Sequence, residues 1–466
     1  MENGKKKIFK NVMIRDFAAE AKCVARVNNL VIFVENVAPG DFADIEITRK
    51  KKNFLEGRAI KINQYSDKRE QPFCEHYGLC GGCKWQHIKY EHQLEFKRKN
   101  VMDAFQHLGK IEIPEVSPTI GSEKNIHYRN KLEFTFSNKR WISWQELESR
   151  LPVDRNGLGF HKAREFNKIV DIRNCYLQPE PSNTIRNSLR EFAMENRISF
   201  YDIMEHKGFL RNLVVRTANT GEVMVILQVN ERDQKLITLL MNFLHDNFPI
   251  INSLNYVVNS KLNETFLDQD IITFAGTPYI NEKIEDLTFR ISPKSFFQTN
   301  TEQAYVLFNV AREMAEVKET DVVYDLYTGT GTIANLIARK VNKVIGIELV
   351  EQAIEDARIN SAINNINNIR YFAGDMVKIL NKDFFEKNGR PDVIFTDPPR
   401  AGMHERVVEA LKRIGASKIV YISCNPATQA RDIALLNESY QVAKIQPVDM
   451  FPHTHHIENV VLLQKK

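Results

Sequence analysis

The chain has 466 residues, of which 43% are apolar and 26% charged. That is ordinary for a globular protein with room for about three domains, and the net charge of +5 says little until the charges are located. No apolar run reaches membrane-spanning length and the lysine-rich start lacks the core of a signal peptide, so a cytoplasmic monomer without a membrane partner is expected.

Residues 1 to about 64 read as short strands at 7–14, 23–27, 30–34, 42–48 and 55–62, with a tight turn at Pro39-Gly40-Asp41; a small five-stranded barrel is expected. Basic residues gather here. Between Arg49 and Arg69 lie Lys50, Lys51, Lys52, Arg58, Lys61 and Lys68 against Glu56 and Asp67, a run suited to phosphate contacts or, as blandly, to a solvated face.

Cys74, Cys80 and Cys83 follow in the spacing Cys-x5-Cys-x2-Cys with glycines between them, and Cys175 stands further on. Disulfides do not suit a reducing compartment, and zinc more often sits between two Cys-x2-Cys knuckles, so an iron–sulfur cluster fits better. Radical enzymes leave one iron open and use a different spacing. Cys175 as a fourth ligand points to a fully ligated cluster with a structural or RNA-positioning role.

Residues 89–108 read as a helix, and residues 126–285 mix helices with strands such as 212–216. From about 286 strands and helices alternate, as in a doubly wound parallel sheet. The strand 322–327 runs into Thr328-Gly329-Thr330-Gly331-Thr332, a glycine turn opening a helix whose free N–H groups face a ligand. Its Gly329-x-Gly331-x-x-Ala334 spacing leaves nicotinamide dinucleotide and S-adenosylmethionine both open. Glu348, after the strand 344–347, suits ribose hydroxyls, and Asp375, after 369–372, suits an adenine amino group; nothing suggests a hydride acceptor.

Two further apolar runs, 392–395 and 419–422, lead into Asp397-Pro398-Pro399-Arg400 and Ser423-Cys424-Asn425-Pro426. The carboxyl ends of adjacent parallel strands share one crevice, so a carboxylate and a thiol are expected to meet there. A lone cysteine at a strand end is ordinarily a small buried hydrophobe; this company favours attack on an electron-poor ring. From an ordinary pKa of about 8.5, Cys424 needs only a modest local shift to ionise.

Taken together, these residues resemble the RNA (uracil-5-)-methyltransferases, specifically the bacterial 23S ribosomal RNA branch that carries a four-iron, four-sulfur cluster, and the likeness spans the chain. It implies a multidomain α/β protein: a TRAM-like RNA-binding barrel at 1–64, a central mixed α/β iron–sulfur domain at 65–92 and 125–285, and a Rossmann-like methyltransferase domain at 93–124 and 286–466. Family members usually carry glycines before the second barrel strand, where this chain has Ala19-Glu20-Ala21-Lys22.

The resemblance also implies roles. Cys74, Cys80, Cys83 and Cys175 would hold the cluster. Gln298, Tyr327, Gly329, Gly331, Thr332, Glu348, Asp375 and Asp397 would line the S-adenosylmethionine site, Phe296 would stack on the target base, Cys424 would be the nucleophile and Glu458 the general base. The substrate would be a uridine flipped from a loop of 23S ribosomal RNA, methylated at C5 through a Cys424–C6 adduct. Transfer RNA is an alternative substrate, and an amino-group methyltransferase using Asp-Pro-Pro or a non-catalytic RNA-binding protein are rival readings. His453, His455, His456 and Glu458 could also be read as a metal site.

Overall fold

The structure, a computed structural model, describes residues 7–466; the first six positions of the expected barrel region lie outside them. The N-terminal strands are β1 (Ile8–Phe17), β2 (Cys23–Val27), β3 (Leu30–Glu35), β4 (Phe42–Lys50) and β5 (Leu55–Gln64), closed into a barrel in the order β1-β2-β3-β5-β4. Alternation drives closure: Ile14, Ala25, Ile32, Val34, Ala43 and Ile45 point inward and are fully buried. β1 runs past the expected end at residue 14, because a register shift between Ile14 and Asp16 breaks the alternation while pairing with β2 continues.

The barrel mouth is pinned by the predicted turn. Asp41, fully buried, accepts from the Ala38 and Ser66 backbone N–H groups and from the Arg69 guanidinium (Nη2 to Oδ2 2.8 Å). Arg58 is likewise paired with Glu46 at 2.7 Å. Two cations of the basic run are therefore committed within the barrel, while Lys50, Lys51 and Lys52 are exposed.

Helix α1 (Tyr90–Asp103) is shorter than expected and continues as a π-helical turn, Ala104–Gly109. Phe96 stacks on Phe17 of the barrel (4.7 Å), whereas Val101 and Phe105 enter the core of the C-terminal sheet. One helix thus joins both bodies.

The central elements are β6 (Lys131–Ser137), α2 (Trp144–Glu148), β7 (Gly157–Lys162), β8 (Glu165–Asp171), α3 (Ser182–Glu195), β9 (Leu210–Thr217), β10 (Val223–Val229), α4 (Gln234–Asn247), β11 (Ile251–Val258) and β12 (Ile271–Gly276). They form a mixed sheet, β12-β11-β10-β9-β6-β7-β8, with α3 and α4 on one face. The other face contributes Val214, Met224, Ile226 and Val257 to a core shared with the C-terminal sheet.

After the hairpin β13 (Ile280–Ile284) and β14 (Leu287–Ile291) come α5 (Thr301–Ala315), β15 (Val322–Leu326), α6 (Thr332–Ala338), β16 (Lys343–Glu348), α7 (Glu351–Ile363) and β17 (Ile369–Ala373). Then follow α8 (Met376–Ile379), α9 (Lys382–Asn388), β18 (Val393–Thr396), α10 (Glu405–Ile414), β19 (Lys418–Ser423), α11 (Pro426–Leu436), β20 (Tyr440–Val448) and β21 (Glu458–Lys465). The sheet order is β17-β16-β15-β18-β19-β21-β20, and strand progression reverses between β15 and β18, the switch point at which such sheets open a crevice. The expected all-parallel sheet is corrected at one edge: β21 runs antiparallel to β19, and β20 to β21. Glu458 is the first residue of β21, opposite Val448.

No helix among the described residues is long and apolar enough to cross a membrane.

Where glycines were expected before β2, Glu20 and Ala21 adopt left-handed backbone with φ of 59° and 61°. Left-handed geometry strains any residue with a Cβ, and Glu20 is exposed, so Glu20→Gly should stabilise the barrel by about 0.5–1 kcal/mol after its own entropy cost. Native-state hydrogen exchange in β1 and β2 should slow by about two- to fivefold; unchanged or faster exchange would remove this account.

Candidate active site and cysteine-lined cavity

At the end of β15 the chain turns sharply. Tyr327 has φ of 63°, Gly329 of 54° and Gly331 of 79°, and Gly331 opens α6. A Cβ on Gly331 would lie 2.5 Å from the Tyr371 hydroxyl, whereas over Gly329 there is open space, so a ligand can approach its backbone closely. Asp325 holds the turn from below, accepting from Thr328 Oγ1 (2.5 Å) and Ala334 N (3.1 Å); its Oδ1 has no hydrogen-bond partner, and burial pushes its pKa up to about 7. Thr332 begins α6 just beyond.

Glu348 terminates β16 and is held in place by backbone donors: Gly329 N to Oε2 (3.2 Å), and Leu349 and Val350 N to Oε1 (2.8 and 3.1 Å). Asp375 caps α8 and shares with Tyr327 a cavity of about 260 Å³, walled by Leu349, Met376 and Val407. A flat heteroaromatic ring with one amino group suits that lining.

Asp397 follows β18. It is partly exposed at the crevice floor but surrounded by protein, and burial, with the charge of Asp325, raises its pKa to about 7. Cys424 follows β19 and immediately precedes Asn425, whose side chain caps α11. Asn425 Nδ2 and Thr428 Oγ1 both donate to Arg400 O (3.0 and 3.2 Å), which locks the Asp397 loop to the Cys424 loop. Glu458, 5% exposed, faces the same group: burial first, then Asp397, raises its pKa well above the carboxylate range, with Arg400 opposing.

The modest shift expected for Cys424 is corrected. Burial, then the Glu458 and Asp397 charges, push the thiol up to about 11; Arg400 pulls the other way. The start of α11 also favours the thiolate, but burial outweighs both. The sequence reading gave Arg400 no role, and its electrostatic reach to Cys424 and Glu458 emerges only when three strand ends converge.

Phe296 is 71% exposed while its neighbour Phe297 is buried in the core. Ser295, bonded to Asp356 Oδ2 at 2.6 Å, and Arg216, donating to Ser295 O, hold the segment that presents that ring. Gln298 is fixed through its backbone carbonyl by Asn130 Nδ2 (2.9 Å) and is not in the Tyr327–Asp375 cavity wall.

A groove of about 1200 Å³ leads away from Cys424. Arg15, Arg26 and Phe33 of the barrel face Lys99 and Arg400 across it. Arg15 and Arg26 were not singled out from the sequence, since nothing in a period of two marks which outward face meets the crevice.

His455 and His456 line this groove with rings 4.2 Å apart, whereas His453 turns inward to Gln93. Burial keeps all three neutral at pH 7. Among the described residues no trio of His, Cys, Asp or Glu side chains is arranged for a single metal ion, which corrects the histidine-segment metal reading.

Cys74, Cys80, Cys83 and Cys175 are free thiols around one cavity of about 150 Å³. Gly82 N donates to Cys80 Sγ (3.4 Å), and Asn183, itself held by the buried Arg186, anchors the Cys175 backbone. Burial raises all four thiols, and neighbouring cysteines add to it at Cys80, Cys83 and Cys175, with Cys80 and Cys83 reaching about 12, so a cationic partner would be needed to ionise them.

Residues 226–466 match the family model "tRNA (Uracil-5-)-methyltransferase" and residues 10–60 match the TRAM domain. A Bacteroides thetaiotaomicron protein named an uncharacterized RNA methyltransferase is 51% identical over 451 residues, 96% of this chain and 99% of that protein. A Porphyromonas gingivalis protein of the same name is 50% identical over 97% of this chain and 98% of its own. The crystal structure of Pyrococcus abyssi tRNA (uracil-54, C5)-methyltransferase with S-adenosyl-L-homocysteine superposes with a TM-score of 0.73 at 30% identity, covering 97% and 99% of the two chains.

Alkylation of Cys424 by iodoacetamide, followed by mass spectrometry of its peptide, should be slow at pH 8 and still rising near pH 10, because the raised thiol pKa delays thiolate formation. Arg400→Met should slow it further, by about tenfold for each unit that the pKa rises. A plateau below pH 8 would contradict the burial effect.

Proposed function

The chain belongs to the RNA (uracil-5-)-methyltransferase family with a TRAM domain and is an S-adenosylmethionine-dependent RNA methyltransferase by that membership, and on this premise we propose that it methylates C5 of a uridine in 23S ribosomal RNA. One observation carries the reading. Cys424, Asp397 and Glu458 lie within electrostatic reach of one another at adjoining strand ends, beside the Gly329–Gly331 turn.

The bound cofactor supplies an electrophilic methyl group. Glu348 would hold its ribose hydroxyls, Tyr327 and Asp375 its adenine, and Gln298, Gly329, Gly331, Thr332 and Asp397 the remainder of the cofactor. Phe296 stacks on a uracil flipped from its loop, with Asp397 accepting from N3–H. Cys424 Sγ adds to C6, which makes C5 nucleophilic enough to take the methyl. Glu458 then removes the C5 proton; the C5–H electron pair becomes the C5=C6 double bond and the thiolate leaves. A carboxylate with a raised pKa suits that proton, and the thiol's own raised pKa makes sulfur a willing nucleophile once ionised beside Arg400 and the start of α11.

The groove between the barrel and Cys424 suits a single RNA strand, with Arg15, Arg26 and Lys99 toward phosphates. Cys74, Cys80, Cys83 and Cys175 fit a four-iron, four-sulfur cluster by donor type, number and the space between them. Protein purified without oxygen should carry iron and sulfide that Cys175→Ser loses; zinc in their place would defeat the cluster reading.

A second reading is the same reaction on transfer RNA, the substrate named for the Pyrococcus enzyme, which is matched here over 99% of its length. Mapping 5-methyluridine in ribosomal and transfer RNA after gene deletion separates the two substrates. Cys424→Ala should bind RNA yet form neither product nor adduct. Glu458→Gln should methylate once and stay bound, so a protein–RNA band dependent on Cys424 should survive denaturing electrophoresis. Normal turnover by Glu458→Gln would reject its assignment.

A further inference from the structure

The turn at 449–454, between β20 and Glu458, is gripped from the opposite end of the sequence. His453 O accepts from both Lys84 N and Trp85 N at 2.9 Å. Fully buried Gln93 of α1 accepts from His453 N through Oε1 (2.9 Å), and its Nε2 donates to Trp85 O (3.1 Å) and Ile88 O (2.8 Å). One side chain therefore locks two separate backbones together. Four residues along α1, Lys97 Nζ reaches Asp449 Oδ1 (2.5 Å) and Phe451 O (3.1 Å), and the Tyr90 hydroxyl donates to Asp449 Oδ2 (2.9 Å).

This grip is specific to one side of the site. The Asp397 and Cys424 loops are locked to each other through Arg400 O, and among the described residues no hydrogen bond reaches them from Gln93, Lys97 or the 84–85 segment. The bonds converge on the chain that runs into Glu458. His455 and His456, between the grip and Glu458, line the groove, so a shift of 449–454 acts on the chain that carries the carboxylate. The same segment also touches the cysteine loop: Thr454 lines the four-cysteine cavity, and Lys84 immediately follows Cys83.

We infer that Gln93, with the Lys97–Asp449 pair, is a positioning residue for Glu458, and that removal of the C5 proton is the step it controls. This rests on the base role proposed for Glu458. When the grip is loosened, Sγ still adds to C6 and the methyl still arrives at C5. The carboxylate no longer reaches the C5 proton, so the C5–H pair cannot close the double bond and the C6–Sγ bond persists.

The test compares Gln93→Met with Glu458→Gln on unmethylated total RNA from cells lacking the enzyme, reading turnover and the denaturation-resistant adduct together. Gln93→Met should lose turnover tenfold or more while forming the Cys424-dependent methylated adduct within twofold of the normal initial rate. Gln93→Glu, which keeps the acceptor for His453 N but loses the donor to Trp85 O and Ile88 O, should recover turnover only in part. If Gln93→Met does not fold, Lys97→Met with Asp449→Leu, which removes both charges together, should trap the same adduct. Adduct formation falling in step with turnover, or turnover left intact, overturns the positioning role. Should Glu458→Gln itself trap nothing, the base assignment falls and this inference with it; should it trap the adduct while neither grip variant does, only the inference falls.

Discussion

The ion pair of Lys97 and Asp449, with both side chains fully buried, is the contact on which the arrangement of the molecule depends. Burial pulls the lysine toward its neutral form and the carboxylate holds it charged, so neither can be removed alone without stranding the other, a loss of about 3–5 kcal/mol in comparable pairs. Such a pair adds little net stability over apolar packing, but it tolerates only one register. Around it the barrel arrives through Phe17 and Phe96, the central sheet through the Tyr128 hydroxyl on Pro452 O, and the C-terminal sheet through Asn300 on Met450 O. Three bodies thus share one fixed point.

The electrostatics of the crevice follow from packing rather than from individual residues. Asp325, Asp397 and Glu458 are carboxyls gathered where water is scarce, and each raises the next. Arg400 is the nearby cation that moderates them, and its carbonyl is what the Cys424 loop grips.

Much of this was legible in the amino-acid order. Runs such as Val393–Thr396 and Lys418–Ser423 are apolar because parallel strands are covered on both faces, and the glycines at 329 and 331 announce a turn with positive φ. Less legible were features set by long-range pairing. The antiparallel edge formed by β20 and β21 has the same apolar content as a parallel strand. The bulge in β1 hides its last turn of pairing. The raised thiol of Cys424 could not be read from Ser-Cys-Asn-Pro, which suggests a helix start and a lowered value; the opposing burial and carboxylates come from elsewhere. Gln93 and Lys97 look like ordinary solvated helix residues until α1 is seen enclosed between barrel and sheet.

Lys97 and Asp449 are separated by 352 positions. A growing polypeptide folds largely from its leading end, and closing so long a loop is slow. During synthesis α1 therefore leaves the ribosome with a lysine made for burial and no acid to meet it, and the early barrel and central sheet can mature while that helix waits. Only when the Asp449 segment emerges can α1 seat and the crevice acquire its last carboxylate.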